Sequence, residues 1–305
     1  MQCLLHPWNH GEPLTLSRTA LIVAGLHCFA SVSSAQDAVA PRTRGEVSAA
    51  PIAAHRTGDF DAILSVRSPE SGARRWAERF QFAGDLERWD YDLAAESFGL
   101  YVPPAYDPEG EPYGVVVWVS PVDDGGIPAE LRPVFDQRRL IWIGPNNAGN
   151  QRHLYPRAGL ALDAALNVDR FYSIDPDRIF ISGLSGGGRM SAMQAVAYPD
   201  VFAGGFSIIG VTTYLSISVG PGSGQLVPQF PTPSPDLLER AKQQPFVVMT
   251  GSGDFNREEC QLTAAAYERD GFTDLHLLDI DGMGHEMPSA EHFARGLDLL
   301  LGPPD

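Results

Sequence analysis

Cysteine is scarce in this chain of 305 residues, which contains only three: Cys3, Cys28 and Cys260. The first two lie in an N-terminal segment that we expect to be removed, so the remaining chain holds one thiol and forms no internal disulfide. This excludes a small disulfide-stapled domain. The fold must instead be held together by a hydrophobic core, which a chain of this length can supply.

Lysine is almost absent, since Lys242 is the only one, and the formal net charge is −16. A protein that binds nucleic acid needs a basic surface to neutralise phosphates, so this charge disfavours such a partner and we expect none. The acidity favours solubility and selects no substrate.

Long hydrophobic runs are also missing beyond the N-terminus, where no apolar stretch reaches the roughly 18 residues of a transmembrane helix. Residues 19–33 form one shorter apolar segment after Arg18, and small residues follow it up to Ala35. We therefore predict a signal peptide over residues 1–35 and a secreted or periplasmic product. An N-terminal core helix is the alternative. Residues 36–58 lack periodicity and predict a flexible linker, followed by one catalytic domain over residues 59–305.

Short apolar runs alternate with helical patterns through the rest of the chain. Predicted strands cover residues 62–66, 97–102, 115–119, 140–143, 179–181, 206–209, 246–249 and 275–280. Predicted helices cover residues 157–171, the stretch from 186 to Pro199, 258–270 and 290–301. Residues 73–92 fit a hairpin or a helix, and the proline-rich residues 219–235 predict a surface insertion. This alternation predicts an α/β fold with a mostly parallel central sheet and helices on both faces.

One stretch combines a strand, a Gly-x-Ser-x-Gly pattern and a helix. The strand is residues 179–181, the pattern occupies residues 183–187 with Ser185 at its centre, and the helix ends at Pro199. This order predicts a nucleophile elbow, a turn so sharp that its neighbours must be glycine. The alternative is a flexible Gly-Ser loop, but glycines that open a helix each cost about 1 kcal/mol against alanine, which disfavours a loop without a role.

Two further residues follow predicted strands and complete a hydrolytic set with Ser185. Asp254 comes after residues 246–249, and His285 comes after residues 275–280. Active residues of such sheets collect at the carboxyl ends of the strands, and α/β-hydrolases use this chain order of serine, acid and histidine. Asp281 is the rival acid, and Asp279 and Glu286 are weaker ones. The remaining candidate histidines are predicted to be surface or packing residues: His153, His276 and His292.

Several motifs extend the pattern over residues 97–300. They are the approach to the elbow at residues 175–179, Tyr101-Val102-Pro103, Gly253-Asp254, and Gly284-His285 followed by Pro288. With these motifs the chain resembles the secreted α/β-hydrolases grouped around polyhydroxybutyrate depolymerases and feruloyl or acetylxylan esterases. The resemblance implies a serine esterase that cleaves small-molecule or polymer-linked carboxylic esters through Ser185, Asp254 and His285, and we expect the protein to be a monomer. It implies an acyl-enzyme and no cofactor, and no cluster with metal-ligand spacing is present.

One departure from that family affects the oxyanion hole. The family has His-Gly after its third strand, where a following backbone N–H completes the hole, whereas this chain has Ser120-Pro121. Proline has no N–H, so the donors are predicted to be Gly186 and either Val122 or Asp123. The carboxylates of Asp123 and Asp124 would oppose an oxyanion nearby. Two alternatives therefore stay open: a serine peptidase on the same fold, and a catalytically weak member kept for binding.

Overall fold

The computed structural model describes residues 49–219 and 225–302. The predicted signal peptide, and the predicted linker up to residue 48, lie outside the described residues. Within the described ranges, no helix has both the length and the apolar character needed to cross a membrane.

Strands and helices alternate along most of the described chain. The strands are β1 (Ala50–Pro51), β2 (Gly58–Ile63), β3 (Phe98–Val102), β4 (Tyr113–Val119), β5 (Leu140–Pro145), β6 (Ile174–Leu184), β7 (Gly204–Ile208), β8 (Ile217–Ser218), β9 (Gln225–Leu226), β10 (Phe246–Gly251) and β11 (Leu275–Ile280). The helices are α1 (Ala73–Arg79), α2 (Arg132–Arg138), α3 (Leu154–Phe171), α4 (Gly186–Ala197), α5 (Pro235–Lys242), α6 (Arg257–Asp270) and α7 (Ala290–Leu301).

Nine of these strands form one sheet in the order β1-β2-β3-β5-β4-β6-β7-β10-β11. Strand β3 runs antiparallel to both of its neighbours, β2 and β5, and every other pair is parallel. The predicted α/β class with a mostly parallel sheet is therefore confirmed, and the arrangement is an α/β-hydrolase fold. Strands β8 and β9 form a separate two-stranded hairpin.

Both faces of the central strands are covered, because every residue of β4 and β5 is buried. Val115 and Val117 of β4 point into one hydrophobic cluster, which also contains side chains of α3, α4 and α6. The alternate residues Val116 and Trp118 belong to a second cluster, formed with side chains of α2 and α7. The near-continuous apolar runs in the sequence follow from this double coverage, since both faces of each strand meet a helix.

The start of the domain differs from the prediction. The linker is predicted to run to residue 58, but Ala50–Pro51 already pairs with β2 and the side chain of Ile52 is buried. Strand β2 also begins earlier than predicted, at Gly58, because its register pairs Gly58 with Val102 of β3. The linker prediction is thus wrong from residue 50 onward, where one apolar side chain and a short parallel pairing anchor the chain.

Residues 73–92, which fitted a hairpin or a helix, contain α1 and a single helical turn at Glu87–Trp89. A buried carboxylate on α3 holds the segments that flank α1. Asp163 accepts hydrogen bonds from the Ser68 N–H (2.6 Å), the Ser71 hydroxyl (2.7 Å) and the Tyr91 hydroxyl (2.6 Å). No local periodicity reveals this anchor, because its two sides lie far apart in the sequence.

Candidate active site

Ser185 occupies a strained turn between β6 and α4. Its backbone has φ of +53° and ψ of −116°, which few residues other than glycine adopt. The turn also brings backbones into close approach, since a Cβ on residue 187 would lie 1.9 Å from the Val119 carbonyl oxygen. Glycine is therefore required at residue 187, as the elbow pattern predicts.

The structure brings the three predicted residues, Ser185, His285 and Asp254, into one hydrogen-bonded line. His285 Nε2 lies 2.8 Å from Ser185 Oγ, and His285 Nδ1 lies 2.8 Å from Asp254 Oδ1. With the proton on Nδ1, Nε2 is free to accept the serine hydroxyl proton while Nδ1–H donates to the carboxylate. The residues come from the ends of β6, β10 and β11, at the carboxyl edge of the sheet.

Two neighbours fix the Asp254 carboxylate, whose side chain is fully buried. The Thr250 hydroxyl donates to Oδ2 at 2.7 Å, and the Asn256 N–H donates to Oδ1 at 3.0 Å. Both donors were missed by the sequence reasoning, although each lies within four residues of Asp254. They orient the carboxylate toward His285 and satisfy its remaining acceptor sites.

The rival acids have other partners. The exposed Asp281 accepts a hydrogen bond from the Ser252 hydroxyl at 3.2 Å. Asp279 pairs with Arg257, which lowers the pKa of that carboxyl, and Glu286 accepts from the Gly284 N–H at 3.3 Å. None of the hydrogen bonds found among the described residues joins these carboxylates to His285.

The three other candidate histidines lie away from this hydrogen-bonded line. His153 caps α3 and stacks on Trp89, with 4.5 Å between the ring centroids. His276 lies 2.7 Å from Asp274, and His292 lies in the first turn of α7. These placements agree with the predicted packing and surface roles.

The loop after β4 has its own network of hydrogen bonds. The Val122 N–H donates to Ser120 Oγ at 3.2 Å. Asp123 Oδ1 accepts from the Gly149 N–H at 2.9 Å, and Asp124 Oδ1 accepts from the Gly126 N–H at 2.8 Å. Both carboxylates, expected from the sequence to oppose an oxyanion, are thus engaged with backbone N–H groups.

A buried guanidinium lies beneath the same loop. Arg157 of α3 donates to the carbonyl oxygens of Ser120 (3.2 Å) and Ala148 (2.7 Å). Burial lowers the pKa of Arg157 to about 10, against the opposing effect of the Asp123 carboxylate, so the guanidinium stays charged at neutral pH. Its charge offsets that of Asp123 close to the loop.

Gly186 is the first residue of α4, so its N–H has no acceptor within the helix and carries the positive end of the helix dipole. The Asn150 side chain packs against it, because a Cβ on residue 186 would lie 2.0 Å from Asn150 Oδ1. The Asn150 N–H donates to the Pro121 carbonyl at 2.9 Å, which joins the loops after β4 and β5. Asn150 was missed, although a polar residue soon after a strand end was the available signal.

Phe255 was missed as well. Its ring stacks on the imidazole of His285, with 3.9 Å between the centroids and 24° between the planes. The side chain is 59% exposed, which is unusual for a large apolar residue. Its position directly after Asp254 was the only signal in the sequence.

Within the described ranges, no group of three or more His, Cys, Asp or Glu side chains has the geometry to hold a metal ion. The candidate site therefore consists of a serine, a histidine, an aspartate and the backbone and polar groups that surround them.

Comparison with known proteins gives short matches. No family model matches the chain. It is 48% identical over 44 residues to poly(3-hydroxyalkanoate) depolymerase C of Paucimonas lemoignei, and this match covers 14% of this chain and 11% of the relative. It is 30% identical over 116 residues to poly(3-hydroxybutyrate) depolymerase of Ralstonia pickettii, and this match covers 32% of this chain and 21% of the relative. The matches thus span about a fifth or less of these relatives, and they confirm the predicted resemblance.

Among solved structures, the chain is similar to a poly(3-hydroxybutyrate) depolymerase from Bordetella parapertussis at 18% identity and a TM-score of 0.46. That match covers 66% of this chain and 88% of the other.

Proposed function

We propose that this protein hydrolyses carboxylic esters, with Ser185 as nucleophile and His285 as general base and acid. Asp254 orients the imidazole and balances the positive charge that the imidazole gains. The observation that carries the proposal is the line of hydrogen bonds from Ser185 Oγ through His285 to Asp254, with 2.8 Å at each step, built on a strained elbow. A general base must lie within hydrogen-bond reach of the proton it takes, and this geometry meets that requirement.

In the first half of the reaction, Ser185 Oγ attacks the ester carbonyl carbon while its proton passes to His285 Nε2. The buried Asp254 carboxylate stabilises the imidazolium that forms. As the tetrahedral intermediate collapses, the carbon–oxygen bond to the alcohol breaks and the leaving oxygen takes the proton from Nε2. The product of this half is an acyl-enzyme on Ser185.

In the second half, His285 Nε2 takes a proton from water as the water oxygen attacks the acyl carbon. The bond between this carbon and Ser185 Oγ then breaks, and the serine oxygen recovers its proton from the imidazolium. The carboxylic acid leaves, and the site returns to its starting state.

The negative oxygen of each intermediate needs donors that are already in place. We assign the N–H of Gly186 as the first donor, because it begins helix α4 directly after the nucleophile. For the second donor we choose the Val122 N–H over that of Asp123. Ser120 Oγ holds the Val122 N–H at 3.2 Å in the free site, a long bond that a charged oxygen can outcompete.

The variant Ser120→Ala distinguishes the Val122 N–H from the Ser120 hydroxyl as the second oxyanion donor. We expect kcat/KM for an acetate ester to stay within about threefold of wild type or to rise, because the Val122 N–H loses its competing acceptor. A loss of roughly 10²-fold or more, the cost of one oxyanion donor, would contradict this and assign the role to the Ser120 hydroxyl. Steady-state kinetics at matched folded concentration measures the difference.

The peptidase alternative is tested with matched substrates. We expect turnover of p-nitrophenyl acetate and none above background for acetyl p-nitroanilide, because an amine is a far poorer leaving group than a phenolate. Equal or preferred hydrolysis of the anilide would contradict the proposed ester specificity.

The names of the two relatives suggest the substrate class, since the units of poly(3-hydroxyalkanoates) are joined by ester bonds. We propose that the substrate is a small-molecule or polymer-linked ester of this kind and that the protein acts as a monomer.

Export stays a prediction from residues 19–35. Mass spectrometry of the protein recovered outside the cytoplasm tests it, and we expect the first residue to lie near Gln36.

A further inference from the structure

The Phe255 ring is the most exposed large apolar side chain found in the described part of the chain, at 59% against 47% for Val227 and 41% for Trp89. It nevertheless stacks on the imidazole of His285, with 3.9 Å between the ring centroids. One face of the histidine is therefore covered by an aromatic ring whose remaining surface faces solvent.

The position of this ring is fixed by the turn that also holds the acid. On one side, Asp254 is fully buried and bonded to Thr250. On the other side, Asn256 donates through Nδ2 to the Ile209 carbonyl at 2.8 Å and through its N–H to Asp254. The backbone is thus anchored on both sides of Phe255, and the ring itself is held beside the site by its stacking on His285.

The reaction places the alcohol part of the substrate beside the Phe255 ring. If the proposed function holds, the leaving alcohol oxygen must take its proton from His285 Nε2, so the alcohol group passes along the imidazole. We propose that Phe255 forms the binding surface for the alcohol part of the ester and that the preferred esters carry an apolar alcohol. The inference rests on the proposed function.

Charge and polarity support this choice of ligand. The ring offers apolar area and no hydrogen-bond donor, so it favours an alkyl or aryl group over a polyol. The formal net charge of −16 disfavours an anionic alcohol.

Acetate esters test the proposal, because they differ only in the alcohol and share one acetyl-enzyme. We expect wild type to prefer benzyl acetate over methyl acetate in kcat/KM. Phe255→Ala is expected to lower this preference by about tenfold, the usual scale for a lost apolar contact with substrate. Phe255→Tyr should keep the preference, and the rate of hydrolysis of the acetyl-enzyme should not change.

A matched control is Leu277→Ala, which removes another exposed apolar side chain, 40% exposed on β11. It should leave the preference unchanged. If Phe255→Ala lowered kcat/KM equally for both alcohols, or slowed hydrolysis of the acetyl-enzyme, the ring would act on His285 alone and the proposal would be overturned. Failure of wild type to hydrolyse any acetate would instead refute the proposed function, so the two failures are distinguishable.

Discussion

Ser185→Ala should lower kcat for ester hydrolysis by on the order of 10³-fold or more, because it removes the atom that attacks the substrate. Among the described residues, the Ser185 hydroxyl hydrogen-bonds to His285 Nε2 alone, and alanine keeps the backbone of the elbow. The free energy of unfolding should therefore change by less than about 1 kcal/mol. Kinetics and thermal unfolding of the same preparation separate loss of chemistry from loss of fold.

Ser65→Ala is a control for this result, since Ser65 is exposed and lies outside the candidate site. It should keep wild-type kcat. Near-normal turnover by Ser185→Ala would remove Ser185 from the mechanism, while equal losses in both variants would point to damage unrelated to the nucleophile.

Asp254→Ala should lower kcat by about 10⁴-fold, because the imidazole loses both its orienting partner and its countercharge. The contacts of Asp254 predict a smaller loss for Asp254→Asn. An amide oxygen at the Oδ1 position still accepts from His285 Nδ1–H and the Asn256 N–H, while the amide nitrogen donates to Thr250 Oγ1. The imidazole then keeps its tautomer and loses only the charge, which costs about 10- to 10²-fold on the scale of a charge-assisted hydrogen bond.

Asp281→Asn is the matched variant at the rival acid, and it should keep kcat within about threefold of wild type, since Asp281 is exposed and bonded to Ser252. The expected order of kcat is thus Asp281→Asn, then Asp254→Asn, then Asp254→Ala. If Asp281→Asn lost more activity than Asp254→Ala, the acid would be Asp281 and the hydrogen bond to Asp254 would be structural only.

The elbow and the positions of Asp254 and His285 were predictable because their signals are local. Each residue directly follows a buried strand, and parallel strands bring their carboxyl ends to one edge of a sheet. The last strand and helix, Leu275–Ile280 and Ala290–Leu301, begin and end as predicted, since each has clear periodicity and flanking turn residues.

The features that escaped prediction depend on contacts between distant segments. Nothing near Asp163 in the sequence indicates that it bonds Ser68, Ser71 and Tyr91. The packing of Asn150 on Gly186 likewise arises only when the loop after β5 folds over the elbow. Helix α2 was missed because seven residues give too short a periodic pattern, and its proline lies in the first turn, where a helix tolerates it.

The conformation of the loop after β4 also decided a point that the sequence left open. Two aspartates beside an oxyanion hole suggest repulsion when only their order in the chain is known. In the fold, their carboxylates accept from the N–H groups of Gly149 and Gly126, and the buried Arg157 guanidinium lies below the loop. The carboxylates are therefore held within the loop, and the second oxyanion donor beside Ser120-Pro121 stays a prediction.

The most direct test of the account is the site at which a fluorophosphonate probe reacts. Such a probe forms a covalent bond with a serine only where a base and an oxyanion hole activate it. Peptide mass spectrometry of the labelled protein should place one adduct on Ser185, with ester hydrolysis lost in proportion to labelling and no adduct on Ser185→Ala. Folded wild-type protein that stays unlabelled, or that carries its adduct on another residue while losing activity, would contradict the account.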